Sequence, residues 1–142
     1  MKSLLLISLM AILTFNINAE SIINEDKATS IVKKLYSYDI EEAESMPTRV
    51  KFEVEIEVTL LDLNNDKKNE IFAVLQHPYF CGSRGCRTII LEKTPKDNWR
   101  SILGGMITHG DIEVFKETTN GYNTINFGDG PKLKYSNGGY AF

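Results

Sequence analysis

The stretch "RVKFEVEIEVTL", Arg49 to Leu60, alternates without a break. Val50, Phe52, Val54, Ile56, Val58 and Leu60 fall on one side, and Lys51, Glu53, Glu55, Glu57 and Thr59 on the other. A period of two is the period of a β-strand, so this run specifies a strand with one face on a core and one in water. Such half-burial belongs to antiparallel sheets, because parallel strands are covered on both faces and read as continuous apolar runs. "IFAVL", Ile71 to Leu75, is apolar on both faces and reads as a central strand. "RTIILEK", "WRSIL", "DIEVFKE" and "YNTINF" follow as further strands, separated by "TPKDN", by Asn120-Gly121, and then by "GDGP" and "NGG". An Asn-Gly pair between two such runs marks a tight hairpin.

Ahead of the strands, "NEDKATSIVKKLYSYD" has the marks of a helix: Asn24 to cap it, Glu25 and Asp26 in its first turn, and Lys33 and Lys34 nearer its end. These charges complement the helix dipole. Ala28, Ile31, Val32 and Leu35 share one face and need a surface to pack on. Short connections between strands favour a meander. The expected fold is therefore α+β, an antiparallel β-meander of about six to seven strands with one N-terminal helix packed on it.

The first 19 residues read differently. Lys2, an apolar run from Leu4 to Leu13 broken only by Ser8, and the small residue Ala19 give the layout of a secretory signal peptide. Cleavage there would leave residues 20–142 as a single exported domain and would remove one positive charge from a chain whose formal net charge is −3. The apolar run is shorter than the roughly 20 residues that span a bilayer, so no membrane insertion is expected. The expected location is the periplasm. Mild acidity argues against nucleic acid, whose phosphates call for clustered Lys and Arg.

Both cysteines lie in "QHPYFCGSRGC", at Cys81 and Cys86. In an exported protein the pair is most simply read as a disulfide, with a single pairing available. A ring this short would stabilise by only about 2 kcal/mol on the chain-entropy estimate. That leaves two readings. In the first, the ring presents Ser83 and Arg84 at its apex, over Tyr79 and Phe80, as a preorganised protein-binding loop. In the second, it pins a strand connection while Tyr79 and Phe80 pack in the core. Gly82 and Gly85 would allow the sharp turn in either case. Four residues between the cysteines, with no alternation of strands and helices around them, do not suit a thioredoxin-like redox site. A catalytic triad drawn from Ser83, His77 or His109, and Asp111 lacks the strand-to-helix elbow motif, and no enzymatic activity is expected.

The polar loop "DLNNDKKNE" places Asp62, Asn64, Asp66, Lys68 and Glu70 at positions 1, 3, 5, 7 and 9. This is the spacing by which a tight loop wraps oxygen ligands round calcium, the seventh position giving only its carbonyl. Lys67 stands where a glycine would ease the turn, and Ala73 where a closing glutamate would sit. A solvated connection rich in turn formers is the alternative. The loop resembles the shortened calcium loops of integrin-type FG-GAP repeats and dockerins.

Taken together, the polar loop, the apolar strand, "YFCGSRGC", "TTNGYNTINF" and the terminal "YSNGGYAF" resemble small exported bacterial proteins, over about Leu60 to Phe142. In these, a D-x-N-x-D loop precedes a C-G-S-x-G-C loop. The build is loosely similar to periplasmic immunity proteins that neutralise cell-wall-degrading effectors. The resemblance implies a binding protein, an inhibitor of a peptidoglycan hydrolase, with structural calcium as its cofactor. The alternative is a calcium-stabilised envelope module that binds glycan or protein without inhibiting anything. The stripe Glu53, Glu55 and Glu57 is either the wet face of the first strand or an acidic patch for a basic partner.

Overall fold

The computed structural model describes residues 23–109 and 111–141; the segment read as a signal peptide lies outside them. The fold is α+β, with every strand pairing antiparallel. Helices α1 (Glu25–Leu35) and α2 (Ser37–Ser45) precede nine strands. Asn24 caps α1 as its sequence implies, its side-chain oxygen accepting from the Lys27 N–H at 2.9 Å. The expected single helix is broken at Tyr36, whose backbone (φ −111°, ψ 21°) leaves the helical region. The chain then restarts as a second, less amphipathic segment that buries Ala43.

The main sheet runs β1 (Glu55–Leu61), β2 (Glu70–Gln76), β4 (Gly85–Lys93), β5 (Trp99–Thr108). The short β3 (Cys81–Gly82) continues along the β2 side of β4, where β2 has ended. As the two-sided apolar pattern of "IFAVL" requires, β2 is central and carries two cores. Ile71, Ala73 and Leu75, with Ile89 and Leu91 of β4, face the helices and meet Ala28, Val32 and Ala43. On the opposite face, Phe72 and Ile90 meet Ile102, Leu103, Ile125, Phe127, Leu133, Tyr135 and Tyr140. That second layer is built from two hairpins, β6 (Ile112–Thr119) with β7 (Tyr122–Phe127), and β8 (Lys134–Ser136) with β9 (Gly139–Ala141). Each turns through an Asn-Gly pair with both residues at positive φ: Asn120 (51°) with Gly121 (84°), and Asn137 (51°) with Gly138 (84°). Two positive φ values give the hairpin turn whose twist matches its strands.

Two boundaries depart from the sequence pattern. The alternating run begins pairing only at Glu55, opposite Gln76. Because β2 ends there and the chain turns through His77-Pro78, nothing is left to pair with residues 49–54. Val50 and Phe52 are accordingly exposed, although their pattern placed them inside. At the other end, β5 extends well past "WRSIL" to Thr108. Register shifts against β4 and Gly105 at φ 73° bend it on the way. Bulges of this kind re-aim a strand. Here the bend carries Thr108 opposite Cys86, at the root of the cystine loop.

Candidate functional site

Cys81 and Cys86 are disulfide-bonded and face each other as a cross-strand pair in the β3–β4 hairpin. The preceding residues fold back on His77: Phe80 N–H and Cys81 N–H both donate to its carbonyl, at 2.8 and 2.9 Å, and Tyr79 N–H donates to its Nδ1 at 3.1 Å. Beyond the bond, only Gly82 to Gly85 remain to make the turn, with Ser83 and Arg84 exposed at its apex. Of the two glycines, only Gly85 is called on for its freedom. Its φ is 108°, and a Cβ there would stand 1.8 Å from the Thr108 carbonyl oxygen, whereas Gly82 has open space around it.

The hairpin is also held from outside. His109 Nε2 lies 2.8 Å from the Ser83 carbonyl oxygen. Ser83 and His109, two members of the triad weighed from sequence, thus meet through a main-chain atom and not through the hydroxyl. Among the described residues Arg84 has neither an ion-pair nor a hydrogen-bond partner. It borders a groove of about 510 Å³ whose walls include Met106, Ile107, Phe127 and Pro131, with Asp129 at its edge.

The sequence grouped Tyr79 and Phe80 with the apex, and the structure separates them. Phe80 is a core residue, only 4% exposed, and cannot offer its ring to a partner. It packs edge-on against His77 and Tyr79, beneath the Arg87 guanidinium. Its successor in the chain must enter β3, so Phe80 points inward where Tyr79 points out, 42% exposed.

The polar loop turns through two left-handed residues, Asn65 at φ 60° and Lys67 at φ 67°, the latter where a glycine would ease the turn. Its side-chain oxygens are turned on its own backbone. Asp62 accepts from the N–H groups of Asp66 and Lys67 at 3.2 and 3.0 Å, Asn64 from Asp66 N–H at 3.0 Å, and Asp66 from Lys68 N–H at 2.8 Å. Glu70 is buried under the loop and accepts from Leu63 N–H at 2.7 Å. Burial pushes its carboxyl up to about 7; the Leu63 hydrogen bond opposes this, and the nearby charges of Asp66 and Asp62 add to it. Among the described residues no group of three or more His, Cys, Asp or Glu side chains is placed to hold a metal ion. Asp62 and Asn64 meet on the same Asp66 N–H, and the charges of Asp62 and Asp66 reach Glu70.

One cluster escaped the sequence reading. Glu92, on β4 and buried, takes Arg100 of β5 and the Tyr122 hydroxyl on its two oxygens. Arg100 reaches on to the Tyr135 hydroxyl at 3.1 Å and the Gly138 carbonyl at 3.0 Å, and the Tyr122 and Tyr135 rings stack at 3.8 Å. Asn64 of the polar loop touches the same Tyr122 hydroxyl at 3.4 Å. The cluster clamps the hairpin layer to the sheet. A glutamate set among the apolar residues of "TIILEK" is the only mark it leaves in the sequence.

Glu55 and Glu57 stand exposed on the wet face of β1, while Glu53 precedes the strand. Gln76 Nε2 donates to Glu57 at 2.8 Å. Glu57 and Asp111 border a second concavity of about 500 Å³, over the part of the sheet that the hairpin layer leaves open. Among the described residues no helix is long and apolar enough to cross a membrane. No protein-family model, curated protein or solved structure matches this chain.

Proposed function

We propose that this is an exported, periplasmic binding protein whose partner is a peptidoglycan hydrolase that it inhibits, in the manner of an immunity protein. The observation that carries the reading is Arg84, unpaired among the described residues and set at the apex of a two-residue turn clamped by Cys81–Cys86 beneath it and by His109 beside it. Rigid loops with an arginine at the tip make good binding anchors, because the ordering cost of association has been met in folding. Ser83 shares the apex and Tyr79 flanks its base, so these three form the proposed contact surface. Immobilised mature protein should recover a hydrolase at stoichiometric level from a periplasmic extract. Recovery of glycan alone would remove inhibition from the account.

A second reading, a calcium-stabilised envelope module, is favoured by one observation, the left-handed Lys67 that lets the Asp62–Glu70 loop close tightly. Calcium would take lone pairs of Asp62, Asn64, Asp66 and Glu70 that their N–H partners leave open, with Lys68 giving only its carbonyl. Adding calcium to chelator-treated protein should then raise the melting temperature, by about 1.4 kcal/mol of added stability at ten times Kd. Asp66→Ala should abolish the increment. A melting curve indifferent to millimolar calcium removes the metal and leaves a self-capped loop.

A further inference from the structure

Resting on the inhibitor reading, we infer that the cystine hairpin enters the cleft of a carboxylate-catalysed glycan hydrolase, Arg84 pairing with a catalytic carboxylate and the groove beside it receiving an apolar side chain from the rim of the cleft.

The apex is convex and cationic. Arg84 is the charged group it presents, and its planar guanidinium suits a carboxylate in two-point contact. Glycan-cleaving hydrolases offer a matching surface: two Asp or Glu residues flank the scissile bond. An arginine held at such a pair satisfies buried charge where the substrate would otherwise sit. A peptide- or amide-cleaving enzyme that works through zinc presents a cation instead, which would repel the same guanidinium.

The groups at the apex that could ligate a metal are already committed. Both cysteine sulfurs are bonded to each other, and His109 Nε2 is held on the Ser83 carbonyl. The one carboxylate bordering the groove, Asp129, belongs to the turn after β7 and not to the hairpin. Arg84 also adjoins an apolar concavity in which Ile107 remains 47% exposed. A lone surface arginine has no such neighbour. The pairing of one unpartnered cation with a groove of about 510 Å³ describes a partner that offers a carboxylate next to an apolar side chain.

The test measures loss of turbidity of purified peptidoglycan, with the mature protein added to an animal lysozyme, to a bacterial muramidase and to a zinc-dependent amidase. At least one glycan hydrolase should be inhibited at stoichiometric ratio and the amidase left untouched. Arg84→Ala should weaken that inhibition about thirtyfold, the loss typical of a hot-spot arginine, at an unchanged melting temperature. Arg84→Lys should recover only part of it, since an ammonium lacks the planar fork. Ile107→Ser should weaken inhibition as well, through the groove. Inhibition of the amidase with both glycan hydrolases unaffected would overturn this inference and leave the inhibitor reading standing. Inhibition of none of the three would overturn both. Inhibition that Arg84→Ala leaves intact would move the contact off the hairpin.

Discussion

Gly85→Ala should unseat the cystine hairpin and cost about 3 kcal/mol or more of stability, while Gly82→Ala, three residues away in the same turn, should change it by less than about 0.5 kcal/mol. At Gly85 two costs add. The φ of 108° is closed to a residue with a Cβ, and that Cβ would meet the Thr108 carbonyl oxygen at 1.8 Å. Backbone strain of this kind alone amounts to about 1–3 kcal/mol. The clash is with main chain, so it can be relieved only by moving β5 off the hairpin. Doing so would also draw His109 from the Ser83 carbonyl. Gly82 has neither problem, because nothing lies within 4 Å of the added atom. Thermal melting of both variants checks the contrast, with a drop of roughly 10 °C expected for the first. Equal and small effects would mean that hairpin and β5 are not packed together in solution, and that Arg84 is presented by a mobile loop.

Glu70→Gln should remove a pH dependence that the wild type shows between pH 4.5 and about 7. The folded carboxyl titrates at about 7, raised from 4.5 chiefly by burial. Between those values the folded chain binds a proton that the unfolded chain releases. Stability is therefore full below pH 4.5 and falls as pH rises through about 7, in total by about 3 kcal/mol. Glutamine keeps an oxygen to accept the Leu63 N–H and carries no charge to desolvate. In chelator, the variant should match the wild type at pH 4.5 and exceed it at pH 8. The other carboxylates are common to both chains, so the difference between their denaturation midpoints isolates Glu70. A difference that stays constant across this range would show that Glu70 is solvated.

The cap at Asn24, the turn at Asn120-Gly121 and the pairing of Cys81 with Cys86 are encoded by residues within a few positions of one another, and each was legible. So were the antiparallel class, the central place of Ile71 to Leu75 and the wet face of Glu55 and Glu57. A period of two, or its absence, reports directly which faces are covered. That Asp62 to Asn69 form a turning connection between two strands was legible too. Its own N–H groups taking its oxygens was not, because spacing alone does not say which partner an oxygen accepts.

The rest required partners far along the chain. Val50 and Phe52 continue the pattern of β1 faithfully, yet they lie outside because β2 has ended opposite them. Tyr79 and Phe80 are neighbours of like chemistry, and only the path of the chain into β3 sends one to water and the other into the core. Gly82 and Gly85 look interchangeable until Thr108 is brought against one of them. Glu92 becomes the centre of a clamp only when Arg100, Tyr122 and Tyr135 arrive from three other strands. The sequence by itself determined the elements, their faces and the disulfide, since these follow from local periodicity, capping and turn chemistry. Where each strand stops, which aromatic ring is hidden and what Arg84 has beside it were decided by contacts between distant segments, which exist only once the layers have packed.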